Sequence, residues 1–179
     1  YYPIMVLEDK ESLPLKMQPL NMNVDSEIRF VRDLQAAHDS GELMRWTGGR
    51  DLYLLRNAAN KSKGLGFALA GNFYPDFLLW LVDRDSGQQW LSLIDPKGIR
   101  QIDLSDPKFG LADEVKRLQQ ELKLDICLNS FILSVTARRD LLNVTDWTDE
   151  DFRARHILFM DDDYLPEMFA MILAEGGIV

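Results

Sequence analysis

Residues 75–97 read PDFLLWLVDRDSGQQWLSLIDPK, and this stretch decides the fold. The segment Phe73–Val82 is almost entirely apolar after Asp76, which predicts a strand buried on both faces. Asp83–Gly87 predicts a turn whose glycine takes a left-handed conformation. Gln88–Asp95 predicts the returning strand, so the stretch is expected to form a β-hairpin.

Two carboxylates fall at matching positions of this hairpin. Residues that face each other across an antiparallel pair have a constant sum of residue numbers. Asp76 and Asp95 sum to 171, which requires a turn centred at 85.5, and the turn Asp83–Gly87 is centred at 85. We therefore expect cross-strand neighbours, within about one residue of register and with Cβ atoms about 4.5–5.5 Å apart. Lys97 follows Asp95 by two residues, so it is expected on the same face, about 6–7 Å along the strand.

Carboxylates this close repel each other unless a positive charge lies between them. A divalent cation supplies that charge, and oxygen ligands favour Mg²⁺ or Mn²⁺. Such a metal polarises a phosphodiester and helps to generate hydroxide from bound water. We expect Asp76 and Asp95 to bind the metal, and Lys97 to orient the water or to offset charge on the phosphorane.

A helix upstream of the hairpin, from Ser26 to Ala37, carries a fourth candidate. Its possible N-caps are Asn23, Asp25 and Ser26. Its apolar stripe consists of Ile28, Val31 and Leu34. Glu27 falls on this stripe, and an inward carboxylate needs a partner. We expect Glu27 to complete the surroundings of the metal, directly or through water.

Each feature taken alone has a plainer interpretation. A Pro-Asp pair is common where strands begin, Asp-Pro-Lys-Gly is typical of a turn, and an acidic residue near a helix edge commonly extends to solvent. The combination of these residues with a matching register is what favours a catalytic site.

The rest of the chain predicts further strands and helices. The strands are expected at Asp51–Asn57, Ile126–Thr136 and His156–Met160. The helices are expected at Leu111–Leu122, at Thr148–Arg155 with Thr148 and Asp151 as a capping pair, and from Pro166 to a point before Gly176. This order predicts a mixed α/β fold of the α+β class, in which helices pack on a mixed sheet.

These motifs resemble the PD-(D/E)xK nucleases, with Pro75-Asp76, then Asp95-Pro96-Lys97, and Glu27 on an upstream helix. A closer resemblance is to the C-terminal nuclease domain attached to DEAD/DEAH helicases, as in the Res subunit of type III restriction enzymes. It extends over roughly Asn21 to Ala170 and is carried mainly by three segments. These segments are Leu52–Asn57, Asn72–Phe77 and Ile94–Gly98.

The resemblance implies a restriction-endonuclease-like αβββαβ core and a DNA endonuclease that depends on Mg²⁺ or Mn²⁺. It also implies an upstream helicase or ATPase region as partner, in restriction or defence against foreign DNA. No Gly-x-x-x-x-Gly-Lys-Ser/Thr loop is present, so the chain itself is not expected to hydrolyse ATP. Residues 1–22, with three prolines and no periodicity, are expected to be a linker or docking segment, and 23–179 the nuclease domain.

Composition limits the class of protein. The 179 residues suit one domain, and the formal charge of −9 argues against a surface that holds nucleic acid by electrostatics alone. One cysteine, Cys127, is expected to be a core residue in a cytoplasmic protein. There is neither an apolar stretch long enough to span a membrane nor a signal peptide. The first residue is Tyr1, which favours a piece of a longer chain or a processed product.

Four basic residues are candidates for contact with DNA. These are Arg56, Lys61 and Lys63 around the first strand, and Lys116, which shares a helix face with Gln119. A solvated loop and a solvated helix surface are the plainer alternatives. The four tryptophans are expected in or near the core, with base stacking by an exposed one as the alternative. The rival function is a non-catalytic interaction module that docks a motor or partner subunit. A third possibility is an RNA-specific or single-strand-specific nuclease, which the catalytic residues alone do not distinguish.

Overall fold

The computed structural model describes residues 24–57, 74–103, 105–161 and 163–175. The predicted segment at residues 1–22 lies outside this range. The helices are α1 (Asp25–Asp39), α2 (Glu42–Trp46), α3 (Leu111–Glu121), α4 (Asp149–Ala154) and α5 (Tyr164–Ala174). The strands are β1 (Asp51–Arg56), β2 (Phe77–Val82), β3 (Gln89–Lys97), β4 (Ile126–Ser134) and β5 (Ile157–Phe159). Short 3-10 turns lie at Pro107–Gly110 and Arg138–Asp140.

The five strands form one mixed sheet in the order β1-β2-β3-β4-β5. The first three are antiparallel to one another, while β3–β4 and β4–β5 are parallel pairs. Helices pack on this sheet, so the predicted α+β class with a mixed sheet is confirmed. A parallel pair needs a long crossover, and α3 provides the one between β3 and β4.

The register of the central hairpin is the one predicted. Phe77 pairs with Ile94 and Val82 with Gln89, and each pair sums to 171. The turn closes with the Asp83 carboxylate accepting hydrogen bonds from the backbone N–H groups of Asp85 and Ser86. Gly87 has φ +75°, the left-handed conformation that a residue without Cβ adopts at least cost.

The two faces of the sheet bury different sets of side chains. Odd-numbered residues of β2 and even-numbered residues of β3 face α1 and α5, in a core that includes Phe30, Phe77, Ile94 and Phe169. Even-numbered residues of β2 and odd-numbered residues of β3 face α3, and this smaller core contains Leu78, Leu93, Leu111, Val115 and Leu128. Asp76, Asp95 and Lys97 follow the second alternation, which assigns them to the α3 face.

The prediction for the start of α1 was wrong in detail. The N-cap is Val24, without a side-chain hydrogen bond, and Asp25 and Ser26 lie inside the helix, while Asn23 is outside the described residues. The Ser26 hydroxyl instead donates to the Pro96 carbonyl over 2.8 Å. This bond joins α1 to β3 beside the two catalytic candidates on that strand, so it fixes the helix that carries Glu27.

Other boundaries differ for local reasons. β5 begins at Ile157 because His156 has φ +54°, and its ring stacks on Phe131 with centroids 4.8 Å apart. The capping pair of Thr148 and Asp151 is confirmed at α4. The last helix begins two residues before Pro166, which therefore lies in the first turn, where backbone N–H groups have no partner within the helix. No helix of the described residues is long and apolar enough to cross a membrane.

Candidate active site

Asp76 and Asp95 lie next to each other across the end of the β2–β3 pair. The β2–β3 register ends at Phe77 and Ile94, and its extension by one residue places Asp76 opposite Asp95. The ladder also continues on the other side of Asp76, whose carbonyl accepts a hydrogen bond of 2.7 Å from Asn57 N–H. Asn57 is the residue directly after β1, and its backbone bond holds Asp76 directly before β2. This is the end of the sheet at which β3 also ends.

Lys97 and Asp95 share a face of β3, as two residues apart on a strand must. Their side chains form an ion pair, and Asp95 is 7% exposed. Burial lowers the pKa of Lys97 to about 8, the nearby Lys108 ammonium contributes to that lowering, and the carboxylates of Asp76 and Asp106 oppose it. Lys97 is therefore an ammonium surrounded by carboxylates, in a position to donate to a phosphate or to water.

Burial raises the pKa of Asp76, and the charges of Lys97 and Arg56 act against that rise. A partly desolvated carboxylate opposite a second carboxylate is stabilised by added positive charge. Mg²⁺ commonly takes one or two protein carboxylates and completes its shell with water and phosphate. Asp76 and Asp95 fit that donor set. Within the described residues, no group of three or more His, Cys, Asp or Glu side chains gathers at metal-ligand spacing.

Glu27 has the partner that its inward position requires. Arg56 donates from Nε to the Glu27 carboxylate over 2.9 Å, its Nη2 forms an ion pair with the same carboxylate at 2.7 Å, and Glu27 is 4% exposed. The same guanidinium opposes the rise that burial causes in the pKa of Asp76, so it lies within electrostatic reach of that carboxylate. Glu27 therefore connects to Asp76 through Arg56, and the guanidinium predicted to contact DNA is engaged in this ion pair. Roles of Glu27 at a metal and of Arg56 on DNA stay predictions.

Of the other three residues predicted to contact DNA, the structure describes only Lys116. Lys61 and Lys63 lie outside the described residues. Lys116 donates from Nζ to the Leu128 carbonyl over 2.6 Å and to Asn129 Oδ1 over 2.9 Å, and it pairs with Glu175. Gln119 accepts from Leu128 N–H over 2.6 Å. β5 pairs only with residues 132–134 of β4, so these two α3 side chains satisfy the backbone edge that β5 leaves open.

We expect Lys116→Met to lower the free energy of unfolding by about 1–3 kcal/mol, because it leaves partly buried acceptors on β4 without a donor. Urea denaturation measures this change. Arg117→Met is the matched control on the same helix, since its ion pairs are exposed and contribute about 0.5 kcal/mol or less. Unchanged stability together with weaker DNA binding by Lys116→Met would instead favour the predicted contact with DNA.

Two residues near the site were missed from the sequence. Asp106 and Lys108 flank Pro107 in the turn before α3, form an ion pair, and both act on the pKa of Lys97. Lys108 Nζ also lies 4.9 Å from the centroid of the Phe109 ring. A signal was present, because Asp106-Pro-Lys108 repeats the tripeptide Asp95-Pro-Lys97. The site therefore contains a second lysine–aspartate pair delivered by the connection that leads to α3.

Comparisons with family models, with curated proteins and with solved structures gave no match. Function is therefore inferred from the side chains and their placement.

Proposed function

We propose that this chain is a metal-dependent deoxyribonuclease domain of the PD-(D/E)xK type, with Asp76, Asp95 and Lys97 at its centre. The observation that carries the proposal is the β2–β3 register, which brings Asp76 opposite Asp95 with Lys97 on the same face. The order of α1 with the short α2, three antiparallel strands, α3 and β4 supports the αβββαβ core that the resemblance implies, with α2 as an addition to it.

Each residue of the site has its own role in the proposed reaction. Asp76 and Asp95 would hold Mg²⁺ or Mn²⁺, which supplies charge neutralisation and lowers the pKa of bound water. Lys97 orients the attacking water and neutralises charge that develops on the phosphoryl oxygens. Water forms a bond to phosphorus as the bond to the leaving oxygen breaks, and that oxygen takes up a proton. Lys108 adds a second positive charge near Lys97.

Delivery of DNA is assigned to another part of the assembly. A formal charge of −9 opposes tight binding of duplex DNA by the chain on its own. The proposed partner is an ATP-driven helicase or translocase, upstream in the same polypeptide or in the same complex, and the proposed setting is restriction or defence. This part follows from the resemblance alone.

The second candidate is a non-catalytic interaction module with a nuclease fold. The observation that favours it is the pairing of Glu27 with Arg56, which satisfies the buried carboxylate without a metal. The Asp95–Lys97 ion pair likewise leaves Asp95 with a cationic partner. In this candidate the same residues stabilise the fold, and removal of metal has no consequence.

Calorimetric titration with Mn²⁺ separates the two candidates. We expect the parent chain to bind Mn²⁺ and Asp95→Asn to bind it at least about 10-fold more weakly, since one of two charged ligands is lost. Asp85→Asn, an exposed aspartate in the turn of the same hairpin, is the matched control and should bind like the parent. Cleavage of plasmid and oligonucleotides should require Mg²⁺ or Mn²⁺ and stop with EDTA. A parent chain that binds no metal would favour the interaction module.

A further inference from the structure

An exposed aromatic pair lies on the sheet face that carries the catalytic candidates. Tyr53 of β1 pairs directly with Trp80 of β2, and the two side chains are 55% and 42% exposed. Leu55, the next residue of β1 on this face, is 59% exposed. The expectation that every tryptophan lies in or near the core was wrong for Trp80. Two neighbouring strands thus present an apolar surface to solvent, which is uncommon without a binding partner.

The position of α3 explains the exposure. α3 packs on β4 and reaches the inner residues Leu78 of β2 and Leu93 of β3. Trp80 lies two residues beyond Leu78 on the same face of β2, and Tyr53 lies on β1, the edge strand of the sheet. The rings therefore lie side by side beyond the area that α3 buries. We call Tyr53, Leu55 and Trp80 the aromatic face.

The aromatic face lies on the same side of the sheet as the candidate active site. Trp80 and Asp76 are four residues apart in sequence and point to the same side of the sheet, about 13 Å along the strand at its usual rise. This span corresponds to roughly four stacked nucleotides. Arg84, 77% exposed, forms an ion pair with Asp51 and lies near the Tyr53 hydroxyl, so a guanidinium borders the rings.

We propose that the aromatic face binds unpaired nucleotides by base stacking and that the substrate is single-stranded DNA or a single-stranded end. This inference rests on the proposed nuclease function and adds its substrate class. Exposed aromatic rings stack on every base of a single strand, whereas bases inside a duplex are covered by their neighbours. Stacking adds affinity beyond the neutralisation of phosphates, which a chain of charge −9 supplies poorly.

Binding is tested without metal, so that cleavage plays no part. A fluorescent oligothymidylate of about 20 nucleotides, longer than a usual single-strand site, is titrated with the full chain at low salt in EDTA, beside a blunt duplex of equal length. We expect the single strand to bind more tightly. Trp80→Ala and Tyr53→Ala should each weaken its binding by about 5- to 150-fold, the loss for one stacked base. Trp80→Phe keeps a ring and should lose less.

Two controls exclude general effects. Met44→Ala removes an apolar side chain that is 72% exposed on α2, and it should bind like the parent. Circular dichroism and denaturation establish that every variant is folded. Quenching of tryptophan fluorescence by the oligonucleotide should decrease in Trp80→Phe, because Trp80 is the residue in contact with bases.

Several results would overturn the inference. These are equal binding by Trp80→Ala and the parent, preference for the duplex, or absence of binding by the parent. A change from dimer to monomer in Trp80→Ala, seen by sedimentation, would make the face a protein interface instead. Failure of the nuclease proposal gives a different result. A parent that binds single strands but never cleaves them would refute the nuclease function and leave the stacking site intact. Asp95→Asn should retain binding and lose cleavage.

Discussion

Lys97→Met is expected to slow metal-dependent cleavage of DNA by about 10²- to 10⁴-fold, the usual loss when one positioned group that handles a proton or developing charge is removed. Methionine keeps an aliphatic stem of similar length and eliminates the ammonium that pairs with Asp95. Lys97→Ala should also lose cleavage with its fold retained. Single-turnover cleavage of a labelled oligonucleotide at saturating Mn²⁺ measures the chemical step.

The matched control is Lys108→Met, which removes the second lysine of the site. Lys108 pairs with Asp106 and lies over Phe109, and its charge acts on Lys97. We expect a smaller loss, because Lys108 acts on the site through its charge. Cleavage by Lys97→Met at the parent rate would refute the role given to Lys97. Equal losses in both variants would indicate that only total positive charge matters.

The hairpin could be predicted because its information is local. Gly87, the acidic turn around it and two apolar runs fix the register, and the register alone brings Asp76 opposite Asp95. α2 escaped prediction because its five residues are too few to show a helical period. The fold class followed from the order of the longer elements, each of which spans enough residues to show its period.

Partners of the predicted side chains could not be derived from the sequence. Glu27 was identified as an inward carboxylate, yet its partner Arg56 is 29 residues away in the sequence. Arg56 lies on β1, and the pairing of β1 with β2 determines which face of the sheet this side chain occupies. Lys116 and Gln119 were correctly placed on one helix face, but the free backbone edge of β4 that they satisfy is a property of the assembled sheet. Exposure of Trp80 likewise depends on how far α3 extends over its face.

Arg56→Met is expected to lower the free energy of unfolding by about 3 kcal/mol, near the lower limit for removing one member of a buried ion pair. Glu27 would then carry a buried charge without the hydrogen bond and the ion pair that Arg56 supplies. The lower limit applies because the Arg56 side chain is still 25% exposed, so water partly screens the pair. Urea denaturation in EDTA at neutral pH measures the change.

The double variant Glu27→Gln/Arg56→Met should recover part of the loss, because the uncompensated charge is gone. Arg45→Met is the surface control, since its pair with Glu42 is largely exposed and contributes about 0.5 kcal/mol or less. Repeating the Arg56→Met measurement in Mn²⁺ decides what Glu27 does. If Glu27 reaches the metal, Mn²⁺ should restore more stability to Arg56→Met than to the double variant, because the free carboxylate becomes a ligand. Equal restoration in the two variants would leave Glu27 as the partner of Arg56 alone.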